Sequence, residues 1–209
     1  MNEAAYQNPG QLILLVVGVS LLFGVVFGAI ELIKRRFGVS PEIMRRVAHI
    51  ASGILVIIDY YCLPQLVFVP LVASGAVTFY MFSRRKMLTS INEVSRRTIG
   101  QYVLTFGYLA AYFIALPDLS DFVPTVLIVT FADSLAGLAG TLMKAERKTW
   151  LGSAIFLGVA FGLLIATGVA TAVPALLIAL SLTAVERFTP FGLDNFTVPV
   201  ASALLLLAF

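Results

Sequence analysis

Residues 11–33 read QLILLVVGVSLLFGVVFGAIELI and run straight into Lys34-Arg35-Arg36. A helix needs about 20 apolar residues to cross the ~30 Å hydrocarbon core of a bilayer. This stretch has that length, carries Glu31 as its only charge and stops at a basic cluster. The rest of the chain is built the same way. Its 209 residues are 60% apolar and 12% charged, against about 45–50% and about 25% in soluble domains. That balance excludes an ordinary soluble globule, a disordered chain and a nucleic-acid binder. The net charge of +3 comes from basic residues that lie between apolar runs. A single cysteine, Cys62, excludes an internal disulfide and a cysteine metal site, and a single histidine excludes a polyhistidine site.

Working outward from the first span, eight apolar segments read as helices, at about 11–33, 47–63, 65–82, 100–116, 121–143, 153–169, 172–185 and 195–209. Several are short, which suggests tilted helices, local bilayer thinning or a cavity entering from one side. No ten-residue alternation recurs, so a membrane β-barrel is not expected. All 14 Lys and Arg fall between spans one and two, three and four, five and six, and seven and eight; the opposite loops hold Asp59, Asp118 and Asp121. Cytoplasmic loops carry the Lys and Arg excess. The expected fold is therefore all-α: a polytopic membrane helix bundle of about eight transmembrane helices with both termini outside, one integral membrane domain over 1–209. The N-terminus does not read as a secretory signal, because no basic region precedes its long apolar run. Ser20, Gly24 and Gly28, spaced by four, read as a helix-packing face.

Charges within a bilayer are costly and usually functional. Asp133 sits in Phe131-Ala132-Asp133-Ser134-Leu135-Ala136-Gly137-Leu138-Ala139-Gly140, deep in the fifth span. Asp133, Gly137, Gly140 and Lys144 would share one helical stripe. Such a face offers a carboxylate at depth, little bulk in the middle and a cation at the mouth. A phosphorylated ligand and its metal could lie there; a glycine packing seam is the other reading. Next comes Lys148-Thr149-Trp150-Leu151-Gly152-Ser153. Lysine binds phosphate as a point charge, and Gly152 and Ser153 could offer backbone N–H groups at a helix start. An ordinary basic loop with a cap reads equally well.

Glu186 precedes the turn Pro190-Phe191-Gly192-Leu193-Asp194-Asn195. Hard oxygen ligands of this kind suit Mg²⁺ held by one or two carboxylates plus phosphates, with Asp133 and Asp194 as the metal ligands. Glu186 or Asp194 could also act as base on an alcohol, or Asp194 could simply cap the last helix. In Arg45-Arg46-Val47-Ala48-His49, Ser40 and Pro41 mark a helix start, which sets Arg45 and His49 one turn apart. They and Arg97, from the basic cluster before span four, would line the mouth. All of these map to the cytoplasmic half, and they are the parts that phosphoryl transfer needs.

Taken in order, the motifs resemble those of the integral-membrane polyprenol kinase family, which includes dolichol kinase and phytol kinase and is distantly related to CDP-diacylglycerol synthases. The resemblance runs from Arg45 to Pro199. Arg45-Arg46-Val47-Ala48-His49 matches the family's Arg-Lys-x-x-His element. Asp133, Ala136 and Gly140 match its Asp-x-x-Ala-x-x-x-Gly motif. Lys148, Gly152 and Ser153 match a Lys-x-x-x-Gly-Ser element, and Glu186, Asp194 and Asn195 match a Glu followed by Asp-Asn. The chain departs from the pattern at Lys144, Leu151 and Gln101, where the family often has glycine, glutamate and glutamate. The resemblance implies a nucleotide site formed by Asp133, Ala136, Gly140, Lys148 and Gly152, with Glu186, Asp194 and Asn195 holding metal or orienting the phosphates; Gly137, Lys144 and Ser153 join the nucleotide-binding candidates from their spacing. It implies CTP, or ATP, as donor, Mg²⁺ as cofactor and a long-chain isoprenoid alcohol as acceptor. A CDP-lipid cytidylyltransferase and a small transporter or structural membrane protein are the competing readings.

Overall fold

The computed structural model describes residues 8–84, 99–116, 118–145 and 147–209. Among these, eight helices stand where eight segments were expected, and there is no strand. Helix α1 is Pro9–Phe37, α2 Pro41–Cys62, α3 Gln65–Arg84 and α4 Gly100–Ile114. Helix α5 is Leu119–Leu142, α6 Trp150–Ala166, α7 Ala172–Phe188 and α8 Asp194–Ala208.

Local chemistry fixes the ends. The Gly38 amide donates to the Lys34 carbonyl at 2.9 Å with φ +62°, so α1 stops on a left-handed residue that glycine adopts at little cost. Ser40 then caps α2, its Oγ accepting from the Ile43 amide at 3.4 Å, with Pro41 in the first turn. Helix α5 is composite. A tight turn at Leu119–Asp121 leads into a regular helix, then a π-helical stretch at Ile128–Asp133, then regular helix again from Ser134. A π turn holds an extra residue and is frequent at functional positions. Here it sets the angle at which Asp133 leaves the helix.

Packing relies on missing side chains. Gly107 on α4 lies so close to α8 that an added β-carbon would run into the Asn195 carbonyl and come within 2.8 Å of Pro199. Gly53 on α2 meets Thr130 on α5 in the same way. At one end an aromatic cluster closes the bundle, with Phe68, Tyr112 and Phe122 buried and their ring centroids 5.1–5.8 Å apart. Most of the buried charged side chains gather at the opposite, basic end, namely Asp133, Glu186, Asp194, His49 and Glu31, whereas Asp59 is buried near the far end of α2.

The outside is apolar. Leu14, Val25, Leu66 and Leu207 are among many large hydrophobic residues left exposed, as expected where lipid covers the surface. Two helices, Pro9–Phe37 and Leu119–Leu142, are long and apolar enough to cross a membrane alone. Shorter apolar segments occur in α3, α4, α6 and α8. One expectation is corrected. Ser20, Gly24 and Gly28 do not pack against a neighbouring helix: a β-carbon at either glycine meets no atom within 4 Å, and all three residues line a cavity.

Candidate active site

Asp133 from α5, Glu186 from α7 and Asp194 from α8 are all buried, and each contributes a carboxylate oxygen to a group whose atoms lie within 4.8 Å of one another. Isolated carboxylates do not survive so close together in an apolar setting; they need cations. Lys148, in the loop before α6, supplies one. Its Nζ lies 2.8 Å from Glu186 Oε1 and 2.6 Å from Asp194 Oδ2, and it also donates to the Glu186 backbone carbonyl. Burial works against the charge on Lys148, but Asp194 and Glu186 more than offset this and hold its ammonium above the ordinary lysine range.

Arg46 supplies the second cation, with Nη1 2.9 Å from Asp133 Oδ2. His49, one turn further along α2, places Nδ1 3.9 Å from the same oxygen. Gly137 makes room for this arrangement, since its β-carbon position is overlapped by the Arg46 guanidinium. The sequence paired Arg45 with His49 and passed over Arg46. Spacing did not choose between them, because residues three and four apart both share a helix face. Arg45 instead faces α4 and α8, its Nη2 3.2 Å from the β-carbon position of Gly100, beside Asn195 Nδ2 at 2.7 Å.

The turn between α7 and α8 presents Asp194. Phe191 and Gly192 adopt φ +57° and +80°, which reverses the chain within a few residues. The Ile99 amide bonds the Phe191 carbonyl at 3.1 Å and ties this turn to the start of α4. Asp194 Oδ1 accepts from the Asn195 amide at 3.0 Å, leaving Oδ2 for Lys148.

Of the two readings left open for the glycine-serine element, the structure takes the capped loop. Thr149 caps α6: its Oγ1 accepts from the Gly152 amide at 3.0 Å, and its carbonyl accepts from the Ser153 amide at 3.1 Å. Those N–H groups are therefore occupied and do not form an anion site. Gly152 packs against α5, its β-carbon position 3.0 Å from the Ala136 carbonyl. Ser153 Oγ accepts from Arg187 Nη1 at 3.1 Å, and the same guanidinium lies 3.6 Å from the centre of the Trp150 ring. Arg187 thus pins the start of α6 to the end of α7, a role the sequence did not suggest.

Among the nominated residues, Asp133, Glu186, Asp194, Lys148 and His49 come together, and Asn195 and Arg45 stand beside them. Gly140 faces open space on the same helix, with nothing within 4 Å of its β-carbon position. Lys144 does not continue the stripe. It lies past the end of α5 with φ +52° and is exposed. Arg97 lies outside the described residues. Asp133, Glu186 and Asp194 together form a group that could hold a metal ion. Three buried hard-oxygen donors at this spacing fit a divalent ion of the Mg²⁺ type.

No family model matches the chain, and no solved structure matches it. A phytol kinase from Synechocystis sp. is 30% identical over 223 aligned residues, which cover 95% of this chain and 93% of the relative.

Proposed function

This chain belongs to the phytol-kinase-like polyprenol kinase family, and from that premise we propose that it transfers the γ-phosphate of a nucleoside triphosphate, CTP in preference to ATP, to a long-chain isoprenoid alcohol. The product is the isoprenyl monophosphate, made at the cytoplasmic face of the membrane. The observation that carries the reading is the cluster of Asp133, Glu186 and Asp194 around Lys148 at the basic end of the bundle. The positive-inside distribution of Lys and Arg supports the cytoplasmic orientation.

Phosphoryl transfer is mostly positioning and charge neutralisation. Asp133, Glu186 and Asp194 would hold Mg²⁺, which would supply positive charge to neutralise the nucleotide phosphates. Lys148 is the mobile cation of the site. On donor binding it turns from the carboxylates to the transferred phosphoryl group, where the developing charge is greatest. The alcohol oxygen attacks the γ-phosphorus as its proton passes to Glu186 or Asp194. The bond from the γ-phosphorus to the β-bridging oxygen breaks, and the nucleoside diphosphate leaves. Arg46 pairs with Asp133 and holds it in place across Gly137.

The test uses purified protein in detergent with Mg²⁺, phytol and either γ- or α-labelled CTP and ATP. Label from the γ position in a lipid monophosphate is the expected result. Label from the α position in lipid would replace this reading with cytidylyl transfer.

A further inference from the structure

Helices α1 to α4 border a partly open cavity of about 800 Å³, contacted also by Asn195 of α8. Its size lies within the ~300–1,000 Å³ typical of sites that enclose a whole small ligand. The lining is mainly apolar, including Phe23, Phe27, Leu71, Val72 and Leu104. On α2 the wall is one stripe, Arg45, Ala48, His49, Ser52, Val56 and Asp59. The cavity therefore starts beside the phosphate site and runs along the bundle. From His49 to Asp59 it follows about 15 Å of helix rise. Ser20, Gly24 and Gly28 form the facing wall on α1.

Two polar groups mark its ends. His49 Nε2 and Asp59 Oδ1 are buried with no hydrogen-bond partner among the described residues, and both side chains line the cavity. His49 is only 7% exposed and Asp59 2%. The histidine ring bonds the Val129 backbone and turns Nδ1 toward Asp133. A ring held through one nitrogen offers the other as an acceptor. His49 is thus the shared wall between the carboxylate cluster and the cavity, with its free nitrogen available to a hydroxyl. Asp59 ends the apolar path, because a hydrocarbon tail gains nothing by passing a buried carboxyl group.

We infer that this cavity holds the hydrocarbon tail of the acceptor, with the hydroxyl end at the His49 wall beside the carboxylate cluster and the tail running toward Asp59. This rests on the kinase reading and adds to it the position of the acceptor site.

Counting back from the 38–40 turn, Gly28 stands level with His49, Gly24 with Ser52 to Val56, and Ser20 with Asp59. Open space beside both glycines lets a phenylalanine enter the cavity without displacing protein atoms. Full-length wild type, Ser20→Phe, Gly24→Phe and Gly28→Phe are assayed with CTP and geraniol, farnesol and phytol, with thermal unfolding as the check on folding. Ser20→Phe lowers the phytol-to-geraniol ratio of kcat/KM at least tenfold, Gly24→Phe lowers the farnesol-to-geraniol ratio as well, and Gly28→Phe impairs all three alcohols. Folded variants that leave every ratio unchanged would overturn the inference and leave the kinase reading intact. If wild type phosphorylates no alcohol, the kinase reading fails, and phytol-induced thermal stabilisation then decides on the cavity. Stabilisation of wild type but not of Gly24→Phe supports a lipid site; none in either overturns it.

Discussion

The Lys148 ammonium lies 2.6 Å from Asp194 Oδ2, among the three buried carboxylates that would hold a metal. The lysine therefore occupies the place of the cation the site is built to receive. Replacing Lys148 with methionine leaves those carboxylates with one cation fewer. Loss of a partner from a buried pair costs several kcal/mol; partial exposure of this lysine reduces that to about 1–3 kcal/mol. Lys148→Met is expected to unfold at lower temperature than wild type and to recover with millimolar Mg²⁺, while wild type without nucleotide responds little. Differential scanning fluorimetry with and without Mg²⁺ reads this directly. An equal Mg²⁺ response in both proteins would show that the lysine and the metal do not compete.

Asp133 is the carboxylate shared by Arg46 and His49. Asp133→Asn keeps the shape and removes the charge. Phosphoryl transfer is expected to fall at least 100-fold, about 2.7 kcal/mol in the barrier, with the protein still folded. Initial rates at saturating alcohol and donor check this.

Gly137 and Arg46 form one unit, because the guanidinium lies where a side chain at 137 would stand. Gly137→Ala should therefore act through Arg46. Its loss of activity is expected to match that of Arg46→Ala, and the double variant to be no worse than either single one. A double-mutant cycle in kcat/KM measures the coupling. Additive losses would mean that Gly137 contacts substrate by itself.

Gly107 lets α8, which carries Asp194 and Asn195, lie against α4. Gly107→Ala forces the two apart, and overpacking of this kind costs about 1–3 kcal/mol. Thermal unfolding should fall and activity with it, whereas Gly140→Ala, which faces open space, should leave the unfolding temperature within a degree or two.

The helices were legible because their ends carry the signals: Ser40-Pro41, Gly38 and the basic clusters are local chemistry. The carboxylate cluster was legible as a set of residues that a bilayer does not explain. Its partnerships were not. Arg46 rather than Arg45 meets Asp133 because of the angle between α2 and α5, and that angle depends on Gly53 and on the π turn at Ile128–Asp133. Neither has a sequence pattern of its own. Gly24 and Gly28 show the same limit from the other side. Four-residue spacing fits a packing seam and a cavity wall equally, and only the position of α3 decides. The glycine-serine element left two readings open, an anion site and a capped loop, and the structure takes the second, because Thr149 holds the N–H groups that an anion would use.

The most direct test of the central claim, that the Asp133, Glu186, Asp194 and Lys148 cluster performs phosphoryl transfer, compares wild type with Asp133→Asn and Lys148→Met. Transfer of label from γ-labelled CTP to phytol is followed in the presence of Mg²⁺, with all three proteins shown to be folded. Phytyl monophosphate formed by wild type and reduced at least 100-fold in both variants is the predicted result. Transfer by the folded variants at the wild-type rate would place the chemistry elsewhere and contradict the account.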